Sequence, residues 1–114
     1  MPRMKTYSAE SGYVYQYVFA GQRPAGRGRQ AGLEYAFDVS YDRKTHHRIW
    51  VFVADASLTP WMQANGRALT NSERYGVAKI ALRNAFDQRA AARIHELIAP
   101  GADEVEAILG ELGV

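Results

Sequence analysis

Polar and apolar residues alternate along the first half of the chain and recur every three or four residues along the second. From Tyr13 to Ala20, the row Tyr13, Tyr15, Tyr17 and Phe19 alternates with Val14, Gln16, Val18 and Ala20. Aromatic and β-branched residues at period two predict a strand, here with two fairly apolar faces. Leu33 to Tyr41 alternates more cleanly. Leu33, Tyr35, Phe37, Val39 and Tyr41 fall on one side, and Glu34, Ala36, Asp38 and Ser40 on the side predicted to meet solvent. Asp42 to Thr45 is a polar turn short enough to impose antiparallel pairing with a third strand, His46 to Val53. That strand sends Ile49, Val51 and Val53 to the core and Arg48, Trp50 and Phe52 to the other face. Residues 4–8 fit a short edge strand or an extended arm. Residues 21–32, GQRPAGRGRQAG, hold four glycines, a proline and three arginines, and read as an exposed flexible loop.

After Asp55 the period lengthens. Leu58, Trp61 and Met62 predict a short helix capped by Ser57 or Thr59, with Pro60 in its first turn and Asn65-Gly66 at its end. Thr70 to Gln88 is the strongest helical stretch. Thr70 and Glu73 are spaced to satisfy each other's backbone N–H groups, and Tyr75, Ala78, Leu82, Ala85 and Phe86 share one face. Val77 and Ile80 point away from that face and need a covering segment or a partner. Ala90 to Ile98 has helical propensity and either continues this helix or bends away after Asp87; Pro100-Gly101 stops it. A last helix spans Asp103 to Leu112, with Asp103 and Glu106 spaced as a capping box and Val105, Ile108, Leu109 and Leu112 as its stripe. The order predicts one α+β domain over residues 1–114: a three-stranded antiparallel sheet (β-β-β) followed by three to four helices packed on one face.

Composition narrows the chemistry. The chain is 47% hydrophobic and 23% charged, ordinary for a folded domain. It contains no cysteine, which excludes disulfides, thiolate catalysis and cysteine-ligated metals. No apolar run reaches the roughly 18 residues of a membrane span, and no apolar segment follows the basic residues at the start, so a cytoplasmic protein is expected. The net charge of +2 is unevenly placed: residues 1–54 hold eight Lys/Arg against four Asp/Glu, and residues 55–114 hold six against eight.

No motif specifies a reaction. Tyr75 and Lys79 have the Tyr-x-x-x-Lys spacing of short-chain dehydrogenases, but Tyr75 lies on the core stripe and the chain is too short for that fold. Gly26-Arg27-Gly28 precedes a strand rather than a helix whose N-terminus would hold phosphate. His46 and His47, adjacent on a strand, point to opposite faces. A non-enzymatic chain without cofactor or metal is the expectation. Trp50 and Phe52, with the Val77 and Ile80 strip, predict a protein–protein or self-association module, for which a homodimer is the simplest form. The outer face of the sheet then needs either the last helix or a partner to cover it. The alternative is a nucleic-acid-binding module using Arg23, Arg27, Arg29, Arg43, Lys44 and Arg48 beside stacking aromatics. At the level of architecture, the β-β-β-α order resembles sheet-reading DNA-binding domains of the integrase type.

Overall fold

The computed structural model describes residues 3–114; the first two positions of the amino-terminal stretch weighed as a leader lie outside them. Four strands, β1 (Lys5–Ser8), β2 (Val14–Arg27), β3 (Gln30–Ser40) and β4 (His47–Ala54), form one antiparallel sheet in that order. Helices α1 (Asp55–Asn65), α2 (Asn71–Gln88) and α3 (Ala102–Glu111) follow, with one 3₁₀ turn at Ala91–Arg93. The α+β architecture is the expected one with a fourth strand. Residues 5–8 take the strand option because Lys5 pairs with Tyr17 and Tyr7 with Tyr15.

The core lies between one face of the sheet and the helices. Tyr15, Tyr17, Tyr35, Phe37, Ile49 and Val51 meet Leu58 of α1, Val77, Leu82 and Phe86 of α2, and Val105, Ile108 and Leu109 of α3. The Tyr15 and Phe86 rings stack with centroids 4.0 Å apart and planes 4° apart. Tyr7 Oη donates to Asp87 Oδ2 at 2.7 Å and the Glu10 N–H donates to Asp87 Oδ1 at 2.9 Å, tying β1 to the end of α2. The Thr70 cap forms as its spacing predicts: the Glu73 N–H donates to Thr70 Oγ1 and the Thr70 N–H donates to Glu73 Oε1.

Several local expectations are corrected. Residues 21–32 are a long two-stranded ribbon rather than a flexible loop, since β2 runs to Arg27 and β3 starts at Gln30. Gly28, at φ 60°, takes the first central position of a two-residue turn, a conformation open to glycine and matched to strand twist. Helix α1 starts directly from the strand with Ala54 as N-cap, so neither Ser57 nor Thr59 caps it, and Pro60 lies in its interior. Thr59 Oγ1 donates instead to the Asp55 carbonyl at 3.0 Å. The N-cap of α3 is Gly101, which has no side chain to bond; Asp103 lies inside the first turn and no capping box forms.

Ala90 to Ile98 bends away from α2. Arg89 takes an extended conformation, and its guanidinium donates to the carbonyls of Glu96 at 2.7 Å and Leu97 at 3.0 Å. The segment then runs along the outer edge of β4, where the Phe52 N–H donates to the Ile98 carbonyl at 2.8 Å. Ile94 and Ile98 are buried there, which one continued helix could not achieve together with that edge contact. Helix α3 joins α1 and α2 on the core side of the sheet and does not cover the outer face.

Gly32 fixes the close approach of β3 to the end of β4. A Cβ there would press on the Val53 carbonyl oxygen and lie 2.8 Å from Ala54 Cα, both backbone atoms that cannot swing aside. Gly32→Ala is expected to lower unfolding stability by about 1–3 kcal/mol, read by chemical denaturation. An unchanged midpoint would contradict this packing.

Candidate interaction face of the sheet

The face of the sheet turned away from the helices is organised in cross-strand rows. One row runs Arg23, Glu34, Phe52; the next runs Gly21, Ala36, Trp50; a third runs Val18, Asp38, Arg48. Period-two alternation along each strand puts these side chains on one side. A one-residue bulge between Phe19 and Gly21 keeps both halves of β2 in phase with β3.

Glu34 is the centre of this face. It is 5% exposed, although its strand position predicted contact with solvent. Arg23 Nε donates to its Oε1 at 3.1 Å and Arg27 Nη2 donates to its Oε2 at 2.8 Å. Both guanidinium groups also lie over aromatic rings: Arg23 is 4.2 Å from the Trp50 ring centroid and Arg27 is 5.9 Å from that of Phe52. Arginine stems and heads therefore roof the outer aromatics in place of a helix. Phe52 is 2% exposed, Ala36 is 2% exposed and Trp50 is half-buried. Beside them Arg48 donates to both oxygens of Asp38, at 2.6 and 3.3 Å.

Burial alone would push the Glu34 carboxyl up. Hydrogen bonds from Arg27 and Arg23, together with their charges, outweigh that effect and hold it below its ordinary value of 4.5. In the β3–β4 turn, backbone N–H groups of Thr45 and Lys44 hold the exposed Asp42 carboxyl down at about 2.

Trp50 and Phe52 share the outer face as expected, but only Trp50 retains accessible surface. Val77 is fully buried in the core, and Ile80 is half-buried against it, so that strip is covered within the chain. The six basic residues do not converge. Arg23, Arg27 and Arg48 are paired with acids. Arg29 lies at one end of β3 and Arg43 and Lys44 beyond the other. Eleven residues of strand place these ends roughly 36 Å apart. Among the described residues no three His, Asp or Glu side chains are grouped to hold a metal ion. Among the same described residues no helix is long and apolar enough to cross a membrane.

Sequence reasoning missed Glu34 as an ion-pair hub. The signal was the two-residue spacing at Gly28-Arg29: once Arg27 is paired with Gln30, counting back sets Arg23 opposite Glu34. Compared with protein-family models, curated proteins and solved structures, the chain gives no match.

Because the folded-state value of Glu34 lies below 4.5, its ionised form contributes stability fully above that pH, and the contribution is lost as pH falls through the lower folded value. Asp42, Glu73 and Glu96 are also depressed and add to the same acid loss. Glu34→Gln is therefore expected to flatten, without abolishing, the decline of unfolding midpoints between about pH 5 and 3. Parallel profiles for the two proteins would show that Glu34 does not carry this role.

Proposed function

We propose that this chain is a non-enzymatic interaction module that self-associates through the helix-free face of its sheet. The observation that carries the reading is Trp50: a half-buried indole under a guanidinium, on a face that no helix covers. Tryptophan and arginine are the side chains most often found at the energetic centre of protein interfaces. The face also carries both signs of charge, Arg23, Arg27 and Arg48 against Glu34 and Asp38. Such a mixture suits the equally mixed face of a second copy better than a uniform polyanion. Nucleic-acid binding receives less support, because the acids on the face compensate most of its arginines and the remaining basic residues sit at opposite ends of the sheet.

Size-exclusion chromatography with light scattering in high salt is expected to show a dimer or larger species for the unaltered chain. Trp50→Glu is expected to yield a monomer with unchanged far-ultraviolet circular dichroism. A monomer in the unaltered protein across low and high salt would overturn self-association. So would a Trp50→Glu protein that stays associated.

A further inference from the structure

The long ribbon leaves one strand edge without a partner. β1 pairs with β2 only from Val14 to Tyr17, and β2 continues over residues 18–27 with no strand beyond it among the described residues. Arg27 and Gln30 flank a two-residue turn and so exchange backbone hydrogen bonds. Alternation then assigns the ladder bonds with β3 to Arg27, Ala25 and Arg23, and turns the backbone groups of Gln22, Pro24 and Gly26 outward. Pro24 has no N–H to offer, so Gln22 and Gly26 supply the outward donors of this stretch.

Two further features flank this edge. On the helix side, Phe19 and Gln22 of β2 with Asn71, Ser72 and Tyr75 of α2 line an open cleft of about 290 Å³. Phe19 and Tyr75 form its aromatic wall, edge to face at 4.9 Å. On the opposite side stand Arg23 and Arg27, with Arg29 at the turn. Glu34 is the one acid paired with them, so three positive charges minus one negative leave an excess of two.

We propose that the edge of β2 receives an extended acidic segment of another protein as an added strand. Outward backbone groups bind its main chain, as in strand addition to other open sheet edges. Its side chains alternate by necessity. The residue opposite Gln22 points into the Phe19 and Tyr75 cleft and is apolar, while the residues opposite Arg23 and Arg27 turn to the other side and are acidic. Charge complementarity also selects against a second copy at this edge, since pairing two such ribbons would bring their arginines together. A nucleic-acid strand would meet the charges but has no main chain of alternating N–H and C=O groups to pair with both the outward donors and the outward carbonyls of this edge. This site is reached from the edge but uses Arg23 and Arg27 of the outer face, so an acidic segment and a second copy seated on that face compete for the same two guanidinium groups.

The probe is a terminally blocked eight-residue peptide of alternating glutamate and valine, titrated into the ¹⁵N-labelled full chain. Amide shifts are expected at Phe19, Gln22, Gly26, Ser72 and Tyr75, with affinity falling at least about fivefold between 50 and 300 mM salt as the charges are screened. Methylating alternate backbone nitrogens of the peptide, in the phase that faces β2, should abolish binding. Gln22→Pro removes an outward donor while keeping the ladder to β3, and should weaken binding about tenfold in a chain whose spectrum remains folded. A peptide of alternating lysine and valine should produce no shifts. The proposal is overturned by an absence of shifts at millimolar peptide, by shifts confined to Trp50 and Phe52, or by undiminished binding of the methylated peptide. It is equally overturned if a thymidine oligonucleotide of equal charge moves the same amides as strongly.

Discussion

A carboxylate held between two guanidinium groups stands where a second layer of secondary structure usually stands. With all three helices on one side, the outer face of the sheet would present Trp50 and Phe52 to water. Glu34 prevents this by holding Arg23 and Arg27 down across the rings. Burying one carboxylate carries a desolvation cost, and two charge-assisted hydrogen bonds offset it. Removing the acid would leave two cations without a partner, and removing either arginine would uncover a ring. Stability on this side of the sheet is therefore cooperative among five side chains rather than a sum of surface ion pairs, each of which is worth little alone.

That arrangement depends on backbone geometry set elsewhere. Arg23 and Arg27 reach Glu34 from an ordered strand, and the strand exists because Gly28 closes a two-residue turn. Gly32 lets the returning strand press against β4, which brings Phe52 opposite Glu34. The bulge after Phe19 keeps Gly21 and Arg23 on the outer face while Gln22 stays on the helix side. The same extension that builds the roof carries β2 past the end of β1. An open edge follows, with Pro24 and the arginines limiting what can pair with it.

Elements set by local periodicity were legible in the sequence. The capped helix beginning after Thr70, the β3–β4 hairpin and the core row led by Tyr35 follow from spacing alone, whereas the two apolar faces of β2 left open whether the row of Tyr15 and Tyr17 or that of Val14 and Val18 turns inward. Residues 21–32 were not legible as strand, because glycine, proline and arginine favour loops on average and no apolar face marks a ribbon that stands in water. Ala90 to Ile98 misled in the opposite direction: its helical propensity yielded to the burial of Ile94 and Ile98 and to bonding along β4. Glu34 alternates with core residues and so looked wet; its burial arises from arginines eleven and seven positions away, which only the register reveals. Val77 looked surplus because one helical stripe was matched to one sheet, whereas α2 is packed on two sides, by the sheet and by α3.

Native-state hydrogen exchange of individual amides reads this geometry most directly, because it separates an ordered ribbon from a flexible loop and one strand edge from the other. Arg23 and Ala25, bonded to β3, are expected to exchange orders of magnitude more slowly than free amides, while Gln22 and Gly26 between and beside them exchange close to the rate of an unfolded chain. Uniformly fast exchange over residues 21–32 would contradict this geometry, and so would protection at Gln22 and Gly26 equal to that of their neighbours.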